Sequence, residues 1–365
     1  MAITRIGNIA NTIPDNSIAN SKFADIVNFK NIIINGDLSI AQRSTSVASI
    51  TTNGIYTVDR MALQINSLGT WTQSQSTDVP TGQGFAKSLK MDCTTADASP
   101  ASGDRLYVRT LFEGQNLQYL KKGTANAESL TASFWVKSNK TGTYIASLYD
   151  GDNNRRISKS YTVDVTDTWE KKTITYPGDT TGTLDNDNAR SIELQLGLGA
   201  GTNFNSGTLA TNWETNTDVN SFVGQVNLAD STANEWYITG VQLEAGTTAS
   251  DFEFLPYDVN FLRCQRYYTQ VPTLGGLNGH AMFLAHNINE APGGIIFPTI
   301  MRTSPTVTTY DNAGNSGAIH KFGSPDISGV TVARPSPIGY GGIGSSGSFV
   351  AGGIYIGTWK ADAEL

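Results

Sequence analysis

Leu130-Thr-Ala-Ser-Phe-Trp-Val-Lys137 alternates strictly: Leu130, Ala132, Phe134 and Val136 fall on one side, Thr131, Ser133, Trp135 and Lys137 on the other. A period of two with one apolar side predicts a strand lying on a core. Ser191–Leu198 repeats the pattern, with Ile192, Leu194, Leu196 and Leu198 inward and Glu193, Gln195 and Gly197 outward. Tyr144–Tyr149 and Tyr161–Val165 add two strands, and Asp150-Gly151 and Pro177-Gly178 supply turns between them. Many short strands with regular turns predict an antiparallel β-sandwich over residues 31–257. No linker separates 31–127 from the rest, so that stretch supplies its first strands and insertions.

The pattern changes at 258–270. Asp258 is a helix-capping residue type, and Phe261, Leu262, Cys264 and Tyr268 fall near helical spacing, which predicts a short helical connector. Residues 271–365 return to β, with strand-like Ile295–Pro298, Pro305–Tyr310, Ser348–Ala351 and Ile354–Trp359 between Gly-rich turns. Such strands pack weakly and the segment is small, so it reads as a C-terminal β head stable as an oligomer. Residues 1–30 read as an extended arm with a short helix. Its apolar groups (Ile18, Phe23, Ile26, Val27, Phe29) are too sparse for a core of their own and need an outside partner. The competing reading is a disordered tail. Trp169 and Trp236 read as core or strand-end rings, Trp71 and Trp213 as exposed.

Composition narrows the class. Charged residues are 16% of the 365, and Gly numbers 37, which suits an all-β protein better than a helical enzyme. The net charge of −7 and the lack of a basic block argue against nucleic acid as a partner. No apolar run reaches membrane-spanning length, so membrane insertion is not expected, and the N-terminus lacks the pattern of a signal peptide. Cys93 and Cys264 lie in different predicted domains and read as buried free thiols.

Catalytic signatures are missing. There is no Gly-x-Ser-x-Gly, His-Glu-x-x-His or Cys-x-x-Cys, and the three histidines are His280, His286 and His320. The pairs Asp150/Asp152 and Asp185/Asp187 read as hairpin tips, with loose calcium binding second. The chain is therefore expected not to be an enzyme. Sugar recognition fits better, because flat rings stack on sugar C–H faces beside polar side chains. Alternation puts Trp135, Lys137, Glu193 and Gln195 opposite the core, with Tyr149 on the side of Ser147. A ring covered by a neighbouring loop or subunit is the competing reading. In the head, Tyr310, Phe322 and Tyr340 sit in or near Gly-rich loops and are further candidates.

Asn31-Ile-Ile-Ile-Asn-Gly-Asp-Leu-Ser-Ile-Ala-Gln-Arg43, Tyr56-Thr-Val-Asp-Arg60, Tyr237–Gly246 and Cys264-Gln-Arg-Tyr-Tyr268, in this order, resemble the distal part of bacteriophage tail fibres and related virion appendage proteins. The resemblance runs from about residue 28 to the C-terminus, and residues 128–246 look like a jelly roll of the carbohydrate-binding-module type. It implies a non-enzymatic virion protein, made in the host cytoplasm, that adheres to a host surface glycan or receptor. It also implies a homotrimer attached to other tail or virion proteins through the arm, with the head carrying trimerisation. In jelly rolls of that type the outer face of one sheet is the concave cleft, which would gather Trp135, Lys137, Glu193 and Gln195. A structural calcium there ties first strand to last, at the places of Asn35, Asp37 and Glu244; the alternative is that Asn35-Gly36-Asp37 is simply a turn. A capsid or tail decoration protein with nonspecific glycan adhesion and a polysaccharide-degrading tailspike are the rival functions.

Overall fold

Alternation along the central strands lays two six-stranded antiparallel sheets face to face. The computed structural model describes residues 29–271, 281–321 and 323–365; most of the expected arm, His280 and Phe322 lie outside them. Sheet I runs, in spatial order, β1 (Ser46–Ile50), β3 (Thr70–Ser76), β4 (Ser88–Thr95), β12 (Glu235–Ala245), β6 (Leu130–Ser138), β9 (Glu170–Tyr176). Sheet II runs β11 (Glu214–Thr215), β8 (Arg155–Val163), β7 (Gly142–Asp150), β10 (Arg190–Ala200), β5 (Arg105–Glu113), β2 (Ala62–Asn66). Phe134 and Val136 meet Tyr144, Leu148, Leu194 and Leu196 between them, so the predicted inward sets are the core. The chain is all-β, and 31–127 supplies integral strands of both sheets.

One bulge shapes sheet I. Trp236 and Ile238 point inward on β12, yet so do Val241 and Leu243, because an irregularity between Thr239 and Gln242 resets the alternation. Gly240 sits there at φ +61°, and a Cβ on it would lie 2.5 Å from Phe85. Only glycine takes that backbone comfortably while leaving room for the ring.

The segment before β1 is stapled to β12. Asn31 donates from Nδ2 to the Val241 carbonyl and accepts from Ile33 and Leu243 N–H. Asn35 spans its own loop, donating to Ile40 and Asp59 carbonyls and accepting from Ile40 N–H.

Helix α1 (Tyr257–Gln265) follows, with Pro256 at its N-cap position and no side-chain cap; Asp258 lies in its first turn, where a negative charge favours the helix dipole. The head then forms β13 (Tyr268–Gln270), β14 (Ala281–Leu284), β15 (Glu290–Ile296), β16 (Thr306–Tyr310), β17 (Ala318–Lys321), β18 (Ile327–Ser328), β19 (Thr331–Ser336), β20 (Gly339–Gly344) and β21 (Ile354–Asp362). Strand β21 is the spine: β13 and β16 flank its C-terminal half, β14 and β17 its N-terminal half. Strands β15, β20 and β19 form a second sheet over a core of Phe283, Phe297, Tyr340, Tyr355 and Trp359. The predicted strand at Ser348–Ala351 is absent; the segment turns there, held by the buried Phe349.

Sandwich and head meet through buried charges. Glu113, at the end of β5, accepts from Arg266 Nε and Nη2 (2.8 and 2.7 Å) and Tyr267 Oη (2.5 Å). Burial pushes its carboxyl up, but the bonds from Arg266 and Tyr267 prevail and hold it below the usual range. Arg60 lies 3.6 Å over the Tyr267 ring, donates to Leu111 O and pairs with Glu364.

Candidate functional site

Trp135 leaves the outer face of β6, as its parity requires, and is half-buried while Phe134 is fully buried. Opposite it stand Lys171 of β9 and Thr239 of β12. The segment following β12 folds back over this face and brings Phe252 and Phe254 against Phe85, with ring centroids 4.8–5.1 Å apart. The result is a cleft of about 330 Å³ walled by Trp135 and these three phenylalanines, with Lys171 and Asp251 at its rim. Phe254 remains 52% exposed. Phe85 is buried, while Trp135 and Phe254 keep open surface beside a few polar groups, which suits the C–H face and hydroxyls of a sugar.

Lys137 shares this face but is engaged elsewhere. It pairs with Asp78, which also accepts from Trp169 Nε1 at 2.9 Å, and its ammonium lies 4.4 Å from the centre of the Tyr237 ring. Burial pushes the Asp78 carboxyl up, but the bonds from Lys137 and Trp169 together with the lysine charges outweigh it and hold it below the usual range. Lys137 thus does not line the cleft.

Glu193, Gln195 and Tyr149 do not join Trp135. They belong to β10 and β7 of sheet II, so their outward direction is the opposite face of the molecule. Glu193 binds Arg109 Nη1 at 2.8 Å, Gln195 donates to Glu193 and accepts from Arg156 Nη1 at 2.7 Å, and the Arg156 guanidinium lies 5.1 Å from the Tyr149 ring centre. The excursion between β10 and β12 covers part of this face, packing Phe204, Leu209 and Phe222 on Tyr107 and Ile145. Glu193 and Gln195 are consequently buried.

The head candidates also separate. Tyr340 is a core ring of β20, 6.1 Å from Phe283 and 6.2 Å from Trp359 between centroids, and is not presented to a ligand. Tyr310 lies on β16, on the side of the head that faces the sandwich.

The three oxygen donors proposed for calcium are not brought together. Asn35 spends its amide on its loop, Asp37 accepts from Asn260 Nδ2 at 3.1 Å, and Glu244 accepts from Ser250 and Gln242. Among the described residues no group of three His, Cys, Asp or Glu side chains is placed to hold a metal. Asp150 is no exposed tip: it is buried, 2.5 Å from Lys122, and receives two backbone N–H groups. Cys93 and Cys264 are free and buried.

No known family model matches the chain, and no curated protein matches it. Among solved structures, it is similar to the enzymatically active domain of bacteriophage CBA120 tailspike protein 4, at 14% identity and a TM-score of 0.30 over 59% of this chain and 21% of that one. The chain thus spans about a fifth of that protein's length. It is also similar to the family 11 carbohydrate-binding module of Clostridium thermocellum in complex with a mixed-linked tetrasaccharide (12% identity, TM-score 0.27, 58% of this chain and 100% of that). A third is the xylan-binding domain CBM22-1 of Paenibacillus barcinonensis Xyn10C (13% identity, TM-score 0.26, 56% and 94%).

Proposed function

We propose that the chain is a non-enzymatic adhesion protein of a bacteriophage tail fibre, which holds host-surface glycans in the Trp135 cleft and acts as a homotrimer on the virion. The observation that carries this reading is the cleft: four aromatic rings, Trp135, Phe85, Phe252 and Phe254, gathered on an outer sheet face with polar groups at the rim. Among the described residues Asp251 is the one acid lining it, whereas glycoside hydrolysis uses a pair of carboxyl groups, which supports binding over cleavage. The ordered motifs between Asn31 and Tyr268 support the virion assignment.

The head supports the trimer. Met282, Leu284, Ile288, Ile296, Ile300, Ile338, Val350 and Ile354 are all exposed there. Met282 and Leu284 share one face of β14, and Ile354 of β21 lies directly across from Leu284, forming an apolar strip. An exposed aliphatic strip of this kind supports a subunit contact. Single glycan sites of this size bind weakly, and three on one trimer raise the apparent affinity.

The test is an array of neutral and acidic glycans probed with the full-length protein and its Trp135→Ala variant. Binding that falls about tenfold in the variant, with unchanged circular dichroism, supports the cleft. No binding by the parent, or a variant that binds every glycan on the array as well as the parent does, rejects it.

A further inference from the structure

A larger cavity, about 630 Å³, opens at the seam between sandwich and head. Strand register builds its floor. Tyr268, Asp362 and Thr306 stand in one row across β13, β21 and β16, and Lys360 and Thr308 stand in the next. Directly paired residues share a sheet face, so these side chains all project to one side. The other side of β21 carries Trp359 and Ala361 into the head core. The wall comes from the sandwich: Arg43, Ile55 and Tyr56.

The chemistry of this groove differs from that of the apolar strip farther along the same face. Arg43 lies 3.6 Å over the Tyr268 ring and pairs with Asp362 (3.1 Å) and Glu364 (3.4 Å), which fixes it and neutralises those acids in part. Lys360 sits 4.8 Å from the centre of the Tyr310 ring and, among the described residues, has no carboxylate partner. Tyr56 and Tyr310 are half-buried, each leaving ring surface open. Two cations face two anions, so the groove has no net charge to select a charged ligand. It offers ring faces, two threonine hydroxyls, an ammonium donor and a carboxylate acceptor, which together match a polyhydroxyl chain.

We propose that this seam groove is a second binding site, for a neutral oligosaccharide, with Tyr310 and Tyr56 as stacking faces and Lys360, Asp362, Thr306 and Thr308 as hydroxyl partners. Because both halves of the molecule contribute, a bound sugar bridges sandwich and head. The site stands apart from the Trp135 cleft and does not depend on it.

The experiment extends the glycan array to full-length Tyr310→Ala, Tyr310→Phe, Lys360→Ala and Trp135→Ala, each checked by circular dichroism and sedimentation. At least one neutral glycan is expected to lose about tenfold in binding to Tyr310→Ala and to Lys360→Ala. That same glycan is expected to bind Tyr310→Phe and Trp135→Ala within about twofold of the parent, since the ring is kept in one and the groove untouched in the other. Lys360→Ala keeps the assay decisive if Tyr310→Ala misfolds. Neutral-glycan binding indifferent to both groove variants overturns the groove while leaving the cleft standing. Selectivity for acidic glycans through Lys360 overturns it too. So does a change of oligomeric state in Tyr310→Ala, which makes the face a subunit contact, and so does an array without any neutral-glycan signal.

Discussion

Asp59 is the residue through which pH reaches the junction. It is buried, and burial pushes its carboxyl up to about 6, with bonds from Gln42 and the charge of Arg43 opposing only in part. A carboxyl raised in the fold holds a proton that the unfolded chain has released. Its stabilising contribution is therefore complete below about pH 4, declines as pH rises, and is gone above about 6. The difference amounts to on the order of 3 kcal/mol at neutral pH. Urea unfolding at pH 4.5 and 7.5 should show Asp59→Asn gaining relative to the parent at the higher pH. An equal difference at both pH values would remove Asp59 as the cause. Glu113, held low by Arg266 and Tyr267, acts with the opposite sign and at lower pH. Side-chain candidates were legible at this scale in part. Trp135 is outward because Phe134 and Val136 take the core. Trp71 reads as exposed from its polar neighbours but is fully buried; Gln73 on the same side of its strand also points inward, accepting from Thr57, and so hides the apolar face from the sequence.

Elements explain what alternation left out. A period of two separates inside from outside on β6, β7 and β10, but it does not say which sheet a strand joins; that follows from long-range pairing. Hence Glu193 and Gln195 lie on the far face from Trp135. Phe252 and Phe254, which complete the cleft, come from an irregular segment with no period to mark them. Tyr340 sits among glycines and reads as a loop, yet those glycines let strands close in: a Cβ on Gly339 would lie 2.0 Å from Ile295 O. The bulge at Gly240 is the element-scale device that shapes the cleft. Gly240→Ala combines a left-handed backbone with a clash on Phe85 and should destabilise the chain by about 1–3 kcal/mol. Denaturant titration reads this, and an unchanged midpoint would deny the bulge its role.

At the scale of the molecule, the motifs that mark the sequence lie at seams. Asn31 and Asn35 staple the first segment, Tyr237–Gly246 is the strand it binds, and Arg60, Arg266 and Tyr267 lock sandwich to head. The residues that carry the resemblance thus include many that join the parts, and three of them, Arg43, Tyr56 and Tyr268, also line the seam groove. The exposed aliphatic strip of the head leads to a further expectation. Sedimentation equilibrium at micromolar concentration should give a trimer, and Met282→Asp with Leu284→Asp should give a folded monomer. A monomeric parent would refute the assembly. Glycan capture by the aromatic cleft is decided by a crystal structure of the protein with the array glycan whose binding falls in Trp135→Ala. A sugar ring stacked on the Trp135 indole, with Phe252 and Phe254 at its edge, is the expected result. That glycan bound elsewhere, with the cleft vacant, would overturn the assignment.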